Sequence, residues 1–139
     1  MNTQVKYFDL HTRGIGYLNR LRIVPAKNKK AKPFTACTIA ALRGTTEEPE
    51  YTYIDVRVYS EKAVELLESC QEALSKKQKV LISFLISDIY PECFTYEHGD
   101  KQGQCGCGLK GRLLKISLIK INGHIVYREN AAENQSVDA

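Results

Sequence analysis

Between residues 10 and 46 this chain carries no aspartate and no glutamate. The basic residues of that stretch, Arg13, Arg20, Arg22, Lys27, Lys29, Lys30, Lys32 and Arg43, have no acidic counterpart within it. Other absences narrow the function. No apolar run approaches the roughly 20 residues of a membrane-spanning helix. The opening MNTQVKYFDL lacks the apolar core of a signal peptide. A cytoplasmic protein with no membrane partner is expected. The five cysteines, an odd number, read as reduced thiols and not as a disulfide framework. No glycine-rich phosphate loop closing on Lys-Ser/Thr is present, and no nucleophile sits in a recognisable elbow. His11, His98 and His124 are isolated, and RGIGYLN precedes a strand, so it is no dinucleotide fingerprint. Asp55 and Asp88 are single strand carboxylates, expected to pair with basic neighbours. Neither an enzyme nor a cofactor is expected.

What is present is an uneven charge. The net charge is +4 over 139 residues, yet outside residues 10–46 the chain is net acidic. A basic segment on an acidic body argues for a polyanionic partner. It also suits a solvated hairpin that keeps the protein soluble. The length fits one domain with a real core. Residues 17–24 read as a first strand, with Gly14 and Gly16 marking a bend or close approach ahead of it and Pro25 ending it. Residues 34–42 read as a second strand, and the four lysines Lys27, Lys29, Lys30 and Lys32 occupy the loop between them.

YTYIDVRVYS then alternates Thr52, Ile54, Val56 and Val58 with Tyr51, Tyr53, Asp55, Arg57 and Tyr59. Successive strand side chains point to opposite faces, so one face suits a core and the other is aromatic and charged. Ser60 is placed to cap one amphipathic helix of three to four turns through Leu74. Residues 80–90 read as a fourth strand ended by Pro91, residues 95–111 as a glycine-rich loop, and residues 112–121 as a fifth strand. Asn122-Gly123 turns into a short edge strand. Residues 128–139 are polar and read as a disordered tail after a domain of residues 1–127. Three strands, one helix and two strands is the layout of an OB-fold, a five-stranded barrel with its helix between strands 3 and 4. An SH3-like barrel and an open α+β sandwich are the competing architectures.

Such barrels bind single strands in a groove flanked by the loops between strands 1 and 2 and between strands 4 and 5. Cations track phosphates and aromatic faces stack on bases. Arg20, Arg22, Lys27, Lys29, Lys30 and Lys32 supply the first ingredient. Tyr51, Tyr53 and Tyr59 supply the second, and Arg57 suits either. The same tyrosines also suit packing against a partner subunit.

The run GIGYLNRLRIVP, a basic loop, PFTACTIAALRG, YTYIDVRVYSEKAVELL and KKQKVLISFLI resembles bacterial single-stranded DNA-binding proteins across residues 14–122. RGIGYLNR, YTYIDVRV, DIYPECFTYEHGD and LKGRLLKI resemble more narrowly a small replication-protein family carried on integrative conjugative elements. The resemblance implies a sequence-tolerant single-stranded DNA binder that serves replication or transfer of a mobile element, assembled as a homodimer or homotetramer. It puts Tyr53 and Tyr59 at stacking positions, and Arg20, Arg22 and the loop lysines on the phosphate path. Two features depart from the pattern. The chain has no tryptophan, and its tail RENAAENQSVDA lacks the acidic, aromatic-ended tip that recruits other replication proteins.

Two further readings stand beside this one. Cys93, His98, Cys105 and Cys107 are four potential zinc ligands within 15 residues, but Cys-x-Cys is a poor chelate for one ion. No metal is expected, and the glycines suit a flexible loop. Cys37 and Cys70 fit the core. The alternative function is an OB-fold adaptor that oligomerises through its tyrosine face and binds no nucleic acid.

Overall fold

The computed structural model describes residues 6–129. Six strands and two short helices follow in the order β1 (His11–Val24), β2 (Phe34–Gly44), β3 (Pro49–Val58), α1 (Glu61–Glu68), α2 (Gln71–Ser75), β4 (Val80–Thr95), β5 (Cys105–Ile121) and β6 (His124–Arg128). Antiparallel pairing links β3, β2, β1, β4 and β5 in that spatial order. A parallel pairing of β3 with β5, Ile54 opposite Leu109 through Val58 opposite Leu113, closes the ring. The result is a closed, mixed five-stranded barrel with the helical segment between β3 and β4, the OB-fold arrangement. Closure removes sheet edges within the barrel, and β6 adds to β5 outside it.

β1 is longer than residues 17–24 because it serves two partners. Its first half pairs with β4 from His11 to Tyr17, and its second half pairs with β2 from Gly16 to Val24. Gly14 and Gly16 therefore lie inside the strand. At Gly16 an added Cβ would stand 2.5 Å from the Ala40 carbonyl oxygen, so only glycine permits the β1–β2 approach there. A bulge between Asn19 and Arg22 puts Arg20 at φ 50 and bends the strand.

β4 and β5 also exceed their expected limits. β4 runs through Pro91 to Thr95, and β5 begins at Cys105. Beyond Ser87 the β1 side of β4 has no partner strand. From Tyr90 to Thr95 it pairs with β5 alone and runs out past the β3–β5 pairing as an arm, and proline is tolerated at an edge where no ladder bond needs its N–H. Only residues 96–104 remain as the connecting loop.

The expected single helix is two. Ser60 caps α1 by accepting from the Ala63 N–H at 3.3 Å. The Ser69 hydroxyl then donates to the Leu66 carbonyl, and the Cys70 N–H bonds Leu67 in a tightened turn, which divides the helix at Ser69–Cys70. Ala63, Leu67, Cys70 and Ala73 still share one buried stripe against the barrel. The core beneath holds Cys37, Ile39, Ile54, Val56, Ile82, Ile86, Leu113 and Ile119, all nearly without solvent contact. Arg128 closes β6, and Glu129 is buried with its carboxylate 2.7 Å from Lys115, so these two residues belong to the folded domain and not to a tail. The rest of the expected tail, 130–139, lies outside the described residues. Among the described residues no helix is long and apolar enough to cross a membrane.

Candidate nucleic-acid interface

The strand register builds the outer face of the barrel in rows. Tyr17, Ala40 and Tyr53 stand side by side across β1, β2 and β3. Asn19, Thr38, Asp55 and Lys110 form the next row, which reaches β5. Arg22, Ala36, Arg57 and Arg112 follow, and Val24 and Phe34 end the series. Small residues at Ala36 and Ala40 leave room for the long side chains beside them. An aromatic row thus lies at one end, a charged belt in the middle, and Phe34 and Tyr59 at the other end.

A groove of about 660 Å³ runs over the belt and the Tyr59 end, walled by Lys27 of the β1–β2 loop on one side and by Tyr90 and Glu92 of the arm on the other. Five cationic side chains line it, Arg22, Lys27, Arg57, Lys110 and Arg112, against the acids Asp55, Asp88 and Glu92, so its field is positive. Tyr59 is half-exposed, with the Arg57 guanidinium 5.0 Å and the Arg112 guanidinium 5.1 Å from its ring centroid. Arg57 also lies 4.1 Å over the Phe34 ring. These contacts hold the tyrosine and two planar cations as one stacked platform.

Asp55 organises the belt. It accepts two hydrogen bonds from Arg22 Nη2, at 2.9 and 3.1 Å, and one from Lys110 Nζ at 2.8 Å. Burial pushes its carboxyl up, but the bonds from Lys110 and Arg22 outweigh that and hold it below the usual carboxylate value. The expected basic partners of Asp55 are therefore Arg22 and Lys110. Asp88 faces Arg112, with 3.5 Å between Oδ2 and Nε. By contrast, Lys27, Lys29, Lys30 and Lys32 are exposed and make no ion pair among the described residues. Asn28 shapes their loop by accepting from the Lys30 and Ala31 N–H groups at 2.9 Å each.

The ten residues singled out by sequence do not form one cluster. Arg22, Lys27, Arg57 and Tyr59 line the groove. Lys29, Lys30 and Lys32 sit on its flanking loop. Tyr53 is exposed in the aromatic row, 6.3 Å from Tyr51, which is itself 6.3 Å from Tyr17. Tyr51 and Arg20 belong to a second cleft of about 610 Å³, with Tyr17, Lys77 and Lys79. The bulge explains the division: two-residue spacing alone would put Arg20 beside Arg22, and the extra residue turns Arg20 away. Phe34, Tyr90, Lys110 and Arg112 are the groove residues that sequence reasoning missed. The alternation Lys110-x-Arg112 was a strand signal, hidden by the glycines around it. Among the described residues no three His, Cys, Asp or Glu side chains gather to hold a metal ion, and Cys93 lies opposite Cys107 while His98 falls in the loop.

These features define a closed β-barrel with a cationic, aromatic groove on its outer face. The chain belongs to the family described as a protein of unknown function, DUF3577, whose profile matches residues 1–135. No curated protein and no solved structure matches it.

Proposed function

We propose that this protein is not an enzyme but a cytoplasmic binder of single-stranded DNA that tolerates sequence and supports replication or transfer of a mobile element. It assembles as a homodimer or homotetramer, and replication or conjugation proteins are its further partners. The observation that carries the reading is the half-exposed Tyr59 ring held by Arg57 and Arg112 in an open, positive groove, beside a loop of unpaired lysines. A base has a π-face to meet the tyrosine, and phosphates have cations to meet on both sides. The mobile-element role rests on the sequence resemblance alone.

Fluorescence anisotropy of labelled single-stranded DNA, duplex DNA and RNA across salt concentrations tests it. The expected result is preferential single-strand binding whose log–log salt slope is about −0.7 per neutralised phosphate. Absence of binding at low salt overturns it and leaves the groove to a protein partner.

A further inference from the structure

The cysteines fall into two environments. Cys37 and Cys70 are fully buried in the core, out of reach of a dissolved oxidant. Cys93, Cys105 and Cys107 are exposed and all lie on the β4–β5 arm. Their face follows from the register. Tyr90, Glu92 and Lys110 line the groove, and Tyr90 is opposite Lys110. Alternation puts Cys93 and its opposite residue Cys107 on the reverse face, and Cys105 two residues along β5 shares it. The Sγ atoms of Cys93 and Cys107 are 3.9 Å apart.

We propose that Cys93 and Cys107 are a reversible oxidation site, closing to a disulfide that staples the arm from behind the groove. Directly opposed residues of antiparallel strands have Cα atoms about 4.5–5.5 Å apart, within the span a disulfide bridges. Closure from the present contact to about 2.05 Å needs side-chain rotation, with the strands already in register. Cys105 is diagonal to Cys93, at roughly 7–8 Å, and is the poorer partner. The oxidant is a peroxide. One thiolate attacks a peroxide oxygen and becomes a sulfenic acid, releasing water once a proton is taken up. The second thiol's sulfur then displaces the sulfenic hydroxyl, which leaves as a second water with that thiol's proton. Two thiols and one hydrogen peroxide give one disulfide and two waters, and the two electrons pass from sulfur to peroxide. A small-molecule dithiol reverses the step. The staple fixes the wall that carries Tyr90 and Glu92 without occupying the groove.

The test needs no nucleic acid and stands apart from the binding reading. The full chain is treated with a slight excess of hydrogen peroxide, then unfolded for thiol titration and peptide mapping. Free thiols are expected to fall from five to three, with a Cys93–Cys107 linked peptide that dithiothreitol dissolves. Amide exchange across residues 93–107 is expected to slow in the oxidised form. C93S and C107S should each abolish the linkage, and C105S should leave it intact. Linkage through Cys105, disulfides only between chains, or over-oxidation with no internal linkage would each overturn the proposal. All three side chains are exposed, so the serine variants should fold, and the unmodified chain's linked-peptide map decides independently of them.

Discussion

Asp55 shows how one residue balances a site. Its carboxylate holds Arg22 and Lys110 in place and also cancels part of their charge. Asp55→Asn keeps the shape and removes the charge. Charge-assisted hydrogen bonds are worth about 1.5–3 kcal/mol, and partial exposure of this pair lowers that, so a loss of about 1–2 kcal/mol is expected in urea denaturation. On the proposed reading, the same substitution strengthens single-strand binding and steepens its salt slope by about 0.7 for each phosphate newly met. The pH dependence has a definite sign. The folded carboxyl lies below the ordinary aspartate value, so its stabilisation is fully present above the unfolded value and fades as pH falls through the folded one. Wild type and Asp55→Asn should therefore differ most near neutral pH and converge in strong acid. A stability gap that widens on acidification would contradict the assignment. Tyr59 gives the complementary case. Tyr59→Ala should weaken single-strand binding by about 1–3 kcal/mol, the worth of one stacked base, whereas Tyr59→Phe should keep most of it. Equal loss in both variants would mean that the hydroxyl, and not the ring face, makes the contact.

At the level of elements, alternation and turn chemistry were legible, and context-dependent breaks were not. The Asn122-Gly123 turn has φ of 49 and 83, the two positive angles that the dipeptide favours. The buried face of β3 follows from Ile54, Val56 and Val58 at period two. Pro91 misled because proline signals a strand end only where both edges are paired, and pairing is a property of the barrel. The Ser69 break escaped because the apolar stripe continues across it. α2 ends with Lys77 N–H bonded to Leu74 and Gln78 N–H bonded to Ala73, a Schellman turn with lysine at the left-handed position, φ 58. A side chain there costs about 1 kcal/mol, so Lys77→Gly is expected to stabilise the fold by about 0.5–1 kcal/mol. The check is a raised urea midpoint at unchanged m. Gly16→Ala runs the other way. Its Cβ meets the backbone of Ala40 and Ala41, which cannot yield as a flexible side chain does. A loss of about 2–3 kcal/mol, or failure to fold, is expected for such overpacking.

For the molecule as a whole, the separation between a basic segment and an acidic body was readable as charge count, and it acquires a direction from topology. β1, its loop and β2 form one wall and much of the floor of the groove, so the segment without acids supplies Arg22 and Lys27 to it. The contribution of β5 was not readable, because Lys110 and Arg112 come beside Asp55 and Arg57 only through the parallel β3–β5 closure. Two kinds of partner remain distinguishable on this surface. If a nucleic-acid strand crosses it, replacing Lys27, Lys29, Lys30 and Lys32 together by alanine flattens the salt slope by up to about 3, and Tyr53→Ala weakens binding without changing subunit number. If the face joins protein subunits, Tyr53→Ala shifts the sedimentation or scattering mass toward the monomer, and the lysine variant leaves strand affinity and slope alone. The two outcomes diverge because lysines that neutralise phosphates release counterions in proportion to their number. An aromatic protein interface draws on buried area, which salt screens little.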